Sequence, residues 1–327
     1  MSIAKNYSKL SEDFVQKTAT DSACAMYFLQ KNDWEIEEAI SDFKNSNIFQ
    51  SKKISKPSPN LEKDFEKDFS ILTWNIDGLD ERSQKSRFSA VLLEIESLKP
   101  TVIHLQEVTE TFLELFRSSN LALLYLVVEP EICDRTTYFV CTLYSKDIEL
   151  ITIQYICYEK SVMGRGMLIC NFQLNNEINL LSLNTHLEST SQYSGERIAQ
   201  LAKAIKNISS VSFSNVDMAF IAGDLNLREK EVVQNKNLFL DLNDSWVESG
   251  KDASTQFTWD TKLNHNSMLN NKSFKIRMRM DRIYFKIRDK SQIVQKSFNL
   301  CGKIFLKASQ LFPSDHFGIF SVFKIIK

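Results

Sequence analysis

The chain has 327 residues, 43% of them hydrophobic and 25% charged, with a formal net charge of −1. That balance excludes a collagenous or largely disordered polypeptide, and it leaves no overall positive field for nucleic acid or membrane, so any polyanion site has to be a local basic patch. The length suits one large domain plus a small accessory unit, and 23 Phe against 8 Gly and 5 Pro predict an aromatic-rich core.

The sequence leads us to expect no amino-terminal signal peptide and no transmembrane segment. The cysteines (Cys24, Cys133, Cys141, Cys157, Cys170 and Cys301) show neither Cys-x-x-Cys spacing nor a histidine close by, so no structural zinc site is expected. Several fall in apolar, strand-like runs, where cysteine behaves as a small buried hydrophobe. We read a reducing, intracellular compartment.

Residues 1–46 read as a self-contained helical unit. Asp21 can cap a helix that carries Ala25, Phe28 and Leu29 at i, i+3, i+4 spacing, and Asn32-Asp33 breaks it. A further helix places Ile36, Ala39, Ile40 and Phe43 on one face, with Glu35, Glu37 and Glu38 in its first turn. A short helix around Phe14 completes three. A unit this small buries only a thin core, which fits a binding module sooner than an enzyme. Phe14, Ala25, Leu29, Asn32, Trp34, Glu37, Ala39, Ile40 and Phe43 together resemble a ubiquitin-associated (UBA-like) domain. That resemblance implies ubiquitin binding through the first loop (Thr18, Ala19) and the last helix (Ile40, Phe43). The sequence departs from it at Thr18-Ala19-Thr20, where many relatives carry a Met-Gly-aromatic loop.

Residues 47–68 hold Pro57, Pro59, many lysines and serines and few apolar residues, and predict a flexible linker. From Phe69 onward the pattern becomes alternating strands and helices. Strands are predicted at 69–75, 102–106, 122–129, 136–144, 148–157, 165–173, 177–186, 217–223, 279–287, 294–300 and 317–325. Helical spacing is carried by Phe88, Val91, Leu92 and Ile95, ending before Pro100, and by Ile198, Leu201, Ala202 and Ile205. Many strands with fewer helices predict an α/β fold of two packed sheets with helices outside.

Six apolar runs end in acids, amides or histidine: Thr73-Trp74-Asn75-Ile76-Asp77-Gly78, Leu105-Gln106-Glu107, Asn184-Thr185-His186-Leu187-Glu188-Ser189, Gly223-Asp224-Leu225-Asn226, Met280-Asp281-Arg282 and Ser314-Asp315-His316. One such end is turn chemistry. Six predict that one rim of the fold gathers these groups into an active site. Alternation along an extended chain puts Asp224 and Asn226 on one face. No Ser-His-Asp or cysteine nucleophile stands out. Carboxylates with amides and one terminal histidine suit a hard divalent cation, which prefers oxygen ligands. Such a cation, a histidine and an aspartate that orients water are the equipment of hydrolytic phosphoryl transfer. His104 lies inside an apolar strand and is expected to be structural.

Met in this order, the six motifs resemble the endonuclease/exonuclease/phosphatase superfamily, which includes abasic-site endonucleases and inositol polyphosphate phosphatases. The resemblance spans residues 69–327 and implies a four-layer α/β sandwich, two packed β-sheets flanked by helices, here preceded by the small three-helix UBA-like domain. Within the superfamily, residues 73–80, 186–190, 226–228, 257–261 and 313–316, with the helical module in front, are similar to the branch that cleaves 5′-phosphotyrosyl bonds in DNA. The implied setting is double-strand break repair at a topoisomerase II remnant, in the nucleus with the cytoplasm as second compartment, and with ubiquitylated proteins as partners.

The same resemblance implies roles. Glu107 is the principal Mg²⁺ ligand, with Asp77 close by and Asp315 near the metal, and Mn²⁺ substitutes. Asp224 orients or deprotonates the attacking water, Asn75 and Asn226 hold phosphate oxygens, and His316 stabilises the transition state with Asp281 fixing its ring. His186 and Ser189 contact phosphate or the DNA strand, and Arg228 is placed to hold a phosphate. Trp259 and Tyr138 offer flat surfaces for a base or a tyrosyl ring, a buried Trp being the usual alternative. Lys275, Arg277, Arg279 and Arg282 are either a phosphate track or a solvated strand face. Two alternatives stand beside this reading: a nuclease of the abasic-site type, and a ubiquitin-binding adaptor with an inactive scaffold. The presence of Glu107, Asp224 and His316 weighs against the second.

Overall fold

The structure is a computed structural model that describes residues 7–18, 25, 29, 32, 34–45, 68–130, 138–174, 178–209, 215–267, 275–290 and 292–326. At the amino end lie helices α1 (Tyr7–Thr18) and α2 (Ile36–Asn45), with Ala25 and Leu29 also helical between them. Phe14, Ala25, Leu29, Ala39 and Ile40 form a separate buried cluster, against which Leu10, Val15, Trp34 and Ile36 pack. Ile40 is therefore core rather than contact surface, which corrects its expected ubiquitin-facing role. The Thr18 hydroxyl turns back to donate to the Phe14 carbonyl at 2.7 Å. Ala19, the Asp21 cap, the side chain of Phe43, and 47–67 of the expected linker lie outside the described residues.

Fourteen strands follow among the described residues: β1 (Asp68–Asn75), β2 (Val102–Val108), β3 (Tyr125–Val128), β4 (Phe139–Ser145), β5 (Glu149–Cys157), β6 (Gly166–Leu174), β7 (Ile178–His186), β8 (Met218–Asp224), β9 (Asn243–Asp244), β10 (Trp259–Asp260), β11 (Arg277–Met278), β12 (Asp281–Ile287), β13 (Ile293–Cys301) and β14 (Gly318–Ile325). They build two six-stranded sheets, ordered β13-β14-β1-β2-β4-β3 and β5-β6-β7-β8-β12-β9, and a two-stranded β10-β11 ribbon. Both large sheets are mixed: β1 runs parallel to β2, and β7 parallel to β8. The connection between each parallel pair contains a helix, as such crossovers require: α3 (Gln84–Leu98) joins β1 to β2, and α5 (Ser194–Ser209) joins β7 to β8. Helix α4 (Glu110–Ser118) packs beside α3.

Side-chain parity divides the molecule into layers. Phe69 and Ile71 of β1 and Phe220 and Ala222 of β8 enter the core between the sheets. Leu72 and Trp74 face the α3/α4 layer instead. Ala219 and Ile221 face the α5 layer. Helix, sheet, sheet and helix thus stack in four layers, each interface filled by its own apolar cluster. Two local expectations change. Residues 120–123 form a 3-10 turn ahead of a strand that begins only at Tyr125. The helix α4, whose Phe112, Leu113 and Phe116 are buried, was not anticipated.

His104 sits in the inter-sheet core, where its ring stacks on Phe220. Its Nδ1 lies 3.1 Å from the Ala222 carbonyl and its Nε2 2.5 Å from Ser182 Oγ. Burial pushes the imidazole down to about 3, so the folded state holds it neutral. A histidine with a folded value below its unfolded value of about 6.5 contributes full stability above that pH, and loses it as pH falls toward 3. The expected slope is about 1.4 kcal/mol per pH unit in that window. Urea unfolding at pH 7 and pH 5 should therefore show a smaller acid-side loss in His104→Gln than in the wild type. Equal losses would show that His104 titrates the same way in both states.

Candidate active site

The inter-sheet parity that buries Ile71 and Ala222 continues to the ends of the strands, where the side chains become polar. Asn75 closes β1, Gln106 lies near the end of β2, Asn184 and His186 end β7, Asp224 ends β8 and Asp281 opens the antiparallel β12. All six are buried. The site is the polar end of the apolar core, so it is desolvated by construction. Gln106 Nε2 donates to Thr73 Oγ1 at 3.2 Å and to Asn184 Oδ1 at 2.9 Å, joining the two sheets immediately beneath the site.

Asp224 is the hub. Its Oδ2 accepts from Asn75 Nδ2 at 3.1 Å and lies 3.2 Å from His186 Nε2 and 3.8 Å from His316 Nε2. Arg165 Nη1 is 2.6 Å from the other nitrogen of His186. A guanidinium only donates, so Nδ1 accepts and the proton of His186 stands on Nε2, facing Asp224. Burial on its own would raise the Asp224 carboxyl, but the His186 and His316 rings and the Asn75 amide outweigh it and hold it well below the usual carboxylate range. His316 Nδ1 meets Asp281 Oδ2 at 2.8 Å. Burial opposes charge on that ring, yet Asp281, Asp315 and Asp224 overcome it and raise His316 well above an ordinary histidine. Asp281 is itself pushed up by burial, and only partly relieved by His316. The loop that bears His316 is pinned to β1: Ser314 Oγ donates to the Asn75 carbonyl at 2.6 Å and Trp74 Nε1 to the His316 carbonyl at 2.9 Å.

A second group of carboxylates adjoins the first. Asn75 Nδ2 also donates to Glu107 Oε1 at 3.0 Å, and the Asn75 side-chain oxygen accepts from the Asp77 backbone at 3.0 Å. Burial, then Asp315, raise the Asp77 carboxyl to about 8; Arg87 opposes this, and Glu107 and Asp80 add to it. Carboxylates crowded until they resist joint ionisation are the donor set that a hard divalent cation relieves. Asp224, Asp281 and His316 also bring one ligand atom each within 4.8 Å of one another. There, however, His316 Nδ1 is committed to Asp281, and Asp224 accepts from Asn75. Those hydrogen bonds occupy part of that set, and Asp77, Glu107 and Asp315 are an adjoining group of carboxylates of the oxygen-donor type a hard cation takes.

Three of these residues owe their direction to left-handed backbone: Asp77 (φ 53°), Glu107 (φ 55°) and Asn226 (φ 50°). Asn226 thereby leaves the extended alternation from which its shared face with Asp224 was expected. Its backbone N–H closes a turn on Asp224 Oδ1 at 3.0 Å, and its amide donates to the Leu187 carbonyl at 3.2 Å and Ser189 Oγ at 3.4 Å. Arg228 Nη1 donates to the Asn226 carbonyl at 3.0 Å.

The Tyr138 ring lies under the Arg165 guanidinium, 5.0 Å from it, and 6.4 Å from the His186 ring. Trp259 does not present an open stacking face: it is buried, and its indole donates to Asp315 Oδ2 at 3.0 Å. The phosphate track at Arg279 and Arg282 is also overturned. Arg279 Nη1 donates to both Asp244 carboxylate oxygens at 2.8 Å and its guanidinium stacks on Trp246, and Arg282 is fully buried against Glu229 at 2.9 Å. Arg277 is held by Asp260 at 2.8 Å. Arg165 was missed in the sequence, and Glu188, though part of one of the six polar runs, was given no role. Arg165 organises His186, Ser189 and Tyr138. Glu188 holds the turn before it, accepting from Ser161 Oγ and the Val162 and Met163 amides at 2.9, 2.7 and 2.9 Å.

A buried aspartate poised beside two histidines, next to crowded carboxylates at the end of a two-sheet sandwich, is the equipment of a phosphodiesterase with the endonuclease/exonuclease/phosphatase fold. The fold is shared at a TM-score of 0.60 with an endonuclease/exonuclease/phosphatase from Bacteroides vulgatus, 16% identical, over 79% of this chain and 99% of that one. No family model matches the chain. It is 30% identical to the 5′-tyrosyl-DNA phosphodiesterase of Caenorhabditis briggsae over 96% of this chain and 89% of that protein, and it belongs to that family. A crystal structure of D. rerio TDP2 complexed with single-strand DNA product superposes with a TM-score of 0.71 at 28% identity, over 79% of this chain and 99% of that one.

Proposed function

We propose that the protein hydrolyses the phosphodiester between a tyrosine side chain and the 5′ end of DNA, at the remnant left by a topoisomerase II, in double-strand break repair. The observation that carries this is the Asp224 hub, with Asn75, His186 and His316 around one buried carboxylate, in a chain similar along nearly its whole length to 5′-tyrosyl-DNA phosphodiesterases. The substrate phosphate lies against Asn75, Asn226, His186 and Ser189. Arg228 holds the strand, and Tyr138 supplies a flat face. Asp224, kept ionised, is a weak base, so it orients the attacking water by accepting its hydrogen bond. His316, kept cationic by Asp281, donates from Nε2 toward charge that develops on the phosphorus oxygens. Glu107, Asp77 and Asp315 would hold Mg²⁺, or Mn²⁺ in its place, which supplies Lewis-acid stabilisation of that charge.

The test is release of tyrosine from a 5′-phosphotyrosyl oligonucleotide in Mg²⁺ or Mn²⁺, with an abasic-site duplex as control. Tyrosine release that stops on chelation is the expected result. Rapid cutting of the abasic duplex without tyrosine release would make the protein a nuclease of the abasic-site type, and inactivity on both would leave an adaptor.

Residues 1–46 are assigned as a UBA-like, ubiquitin-binding unit ahead of a linker (47–68) and the catalytic domain (69–327). The separate amino-terminal cluster around Phe14 and Leu29 supports this. Titrating the full chain into ¹⁵N-labelled ubiquitin should shift a localised set of resonances, and an unchanged spectrum would remove the assignment. A repair role places the protein in the nucleus, which imaging of the tagged full chain would check.

A further inference from the structure

Arg87 is a fully buried charge on α3 that the acid–base group does not touch. Every one of its donors goes to a backbone carbonyl. Nε donates to Arg82 at 3.0 Å, Nη1 to Pro313 at 3.0 Å and Ile76 at 3.4 Å, and Nη2 to Asp77 at 3.0 Å and to Asp80. These acceptors belong to two segments far apart in the chain, 76–82 and Pro313. The first segment carries Asp77 and the second leads within two residues to Asp315. The charge itself lies 3.7 Å from Asp77 Oδ2.

A guanidinium taken out of water costs several kcal/mol unless carbonyls and a counter-charge surround it. Here that environment exists only while the two segments keep this arrangement, so the burial of Arg87 favours it. Asp77 also sits in left-handed backbone (φ 53°), a conformation that surrounding contacts help to hold. The Arg87 bonds to the Asp77 and Asp80 carbonyls do so. Lysine cannot replace this: it brings three donors on a point charge instead of a planar fork of five.

We propose that Arg87 is a positioning residue for the divalent-cation site, joining the Asp77 loop to the Asp315 loop so that the cation meets a preformed set of carboxylates. It rests on the cation reading given above. The test uses the full chain and measures Mn²⁺ binding by electron paramagnetic resonance, with thermal unfolding alongside. Arg87→Lys is expected to bind Mn²⁺ about 10–100-fold more weakly than wild type. Arg197→Lys is the control for general damage, because Arg197 is equally buried but is tied to Glu231 and to the Glu188 and Thr190 carbonyls. It should lose thermal stability and keep wild-type Mn²⁺ affinity.

Unchanged Mn²⁺ affinity in Arg87→Lys overturns the proposal, as does an equal loss in both variants. A wild-type chain that binds no Mn²⁺ overturns the cation reading itself, a distinguishable result. A second measurement needs no substitution: the Arg87 Nε–H resonance of the wild type should shift on titration with Mg²⁺, and a resonance that stays put at saturation also overturns the proposal.

Discussion

Asp224→Asn should lower kcat on a 5′-phosphotyrosyl oligonucleotide by about 10³-fold, close to 4 kcal/mol of transition-state stabilisation. The substitution preserves size and still accepts from the Asn75 amide, which lies 3.1 Å away. What it removes is charge. The carboxylate is held ionised by His186, His316 and Asn75, and a neutral amide can neither orient water as strongly nor compensate the cationic His316. Far-ultraviolet circular dichroism should remain native, since the packing around Leu225 and Ala222 is untouched. Steady-state kinetics decide the matter: a folded variant within tenfold of wild-type kcat would remove Asp224 from the chemistry.

The second large effect comes from a residue with no side chain. A Cβ built on Gly78 would stand 1.8 Å from the Glu107 carbonyl oxygen. The acceptor is backbone, so Gly78→Ala must displace the Asp77 loop, the Glu107 turn or both. A shift on the order of 1 Å in groups that hold reacting atoms costs roughly 10²-fold in rate, with about 1–3 kcal/mol of stability from overpacking. Gly195 is the matched control, because nothing lies within 4 Å of the same position there, and Gly195→Ala should match wild type in activity. Kinetics and melting of the pair separate a local clash from a general dislike of alanine. Wild-type turnover in Gly78→Ala would mean that the two loops need not touch.

These expectations depend on features of unequal legibility in the sequence. The ends of β1 and β8 could be read because an apolar run stops abruptly at a polar residue, and the strand periodicity then says which face Asn75 and Asp224 occupy. His104 could be read as structural for the same reason. The left-handed turn at Glu107 could not, because glutamate does not announce a positive φ, whereas Asn226 is of a type that tolerates one. Arg165 stayed hidden since its partners His186 and Ser189 lie 21 and 24 residues away. The pairing of Arg279 and Arg282 with Asp244 and Glu229 spans 35 and 53 residues, so two charges that read as either a phosphate track or a solvated face proved to be internal. Helix α4 is different: Phe112, Leu113 and Phe116 follow helical spacing behind Glu110, and the signal was present.

The left-handed conformations at Asp77, Glu107 and Asn226 also bear on how the protein would respond to laboratory evolution. At Glu107 this costs on the order of 1 kcal/mol relative to glycine, and less at Asp77 and Asn226, whose short polar side chains tolerate it. A screen for heat resistance alone would favour glycine at these turns, at Glu107 first, because relief of that torsion is among the simplest gains open to the chain. The survivors would melt later and hydrolyse nothing. Stabilising this enzyme without losing it therefore means holding these three positions fixed and selecting elsewhere.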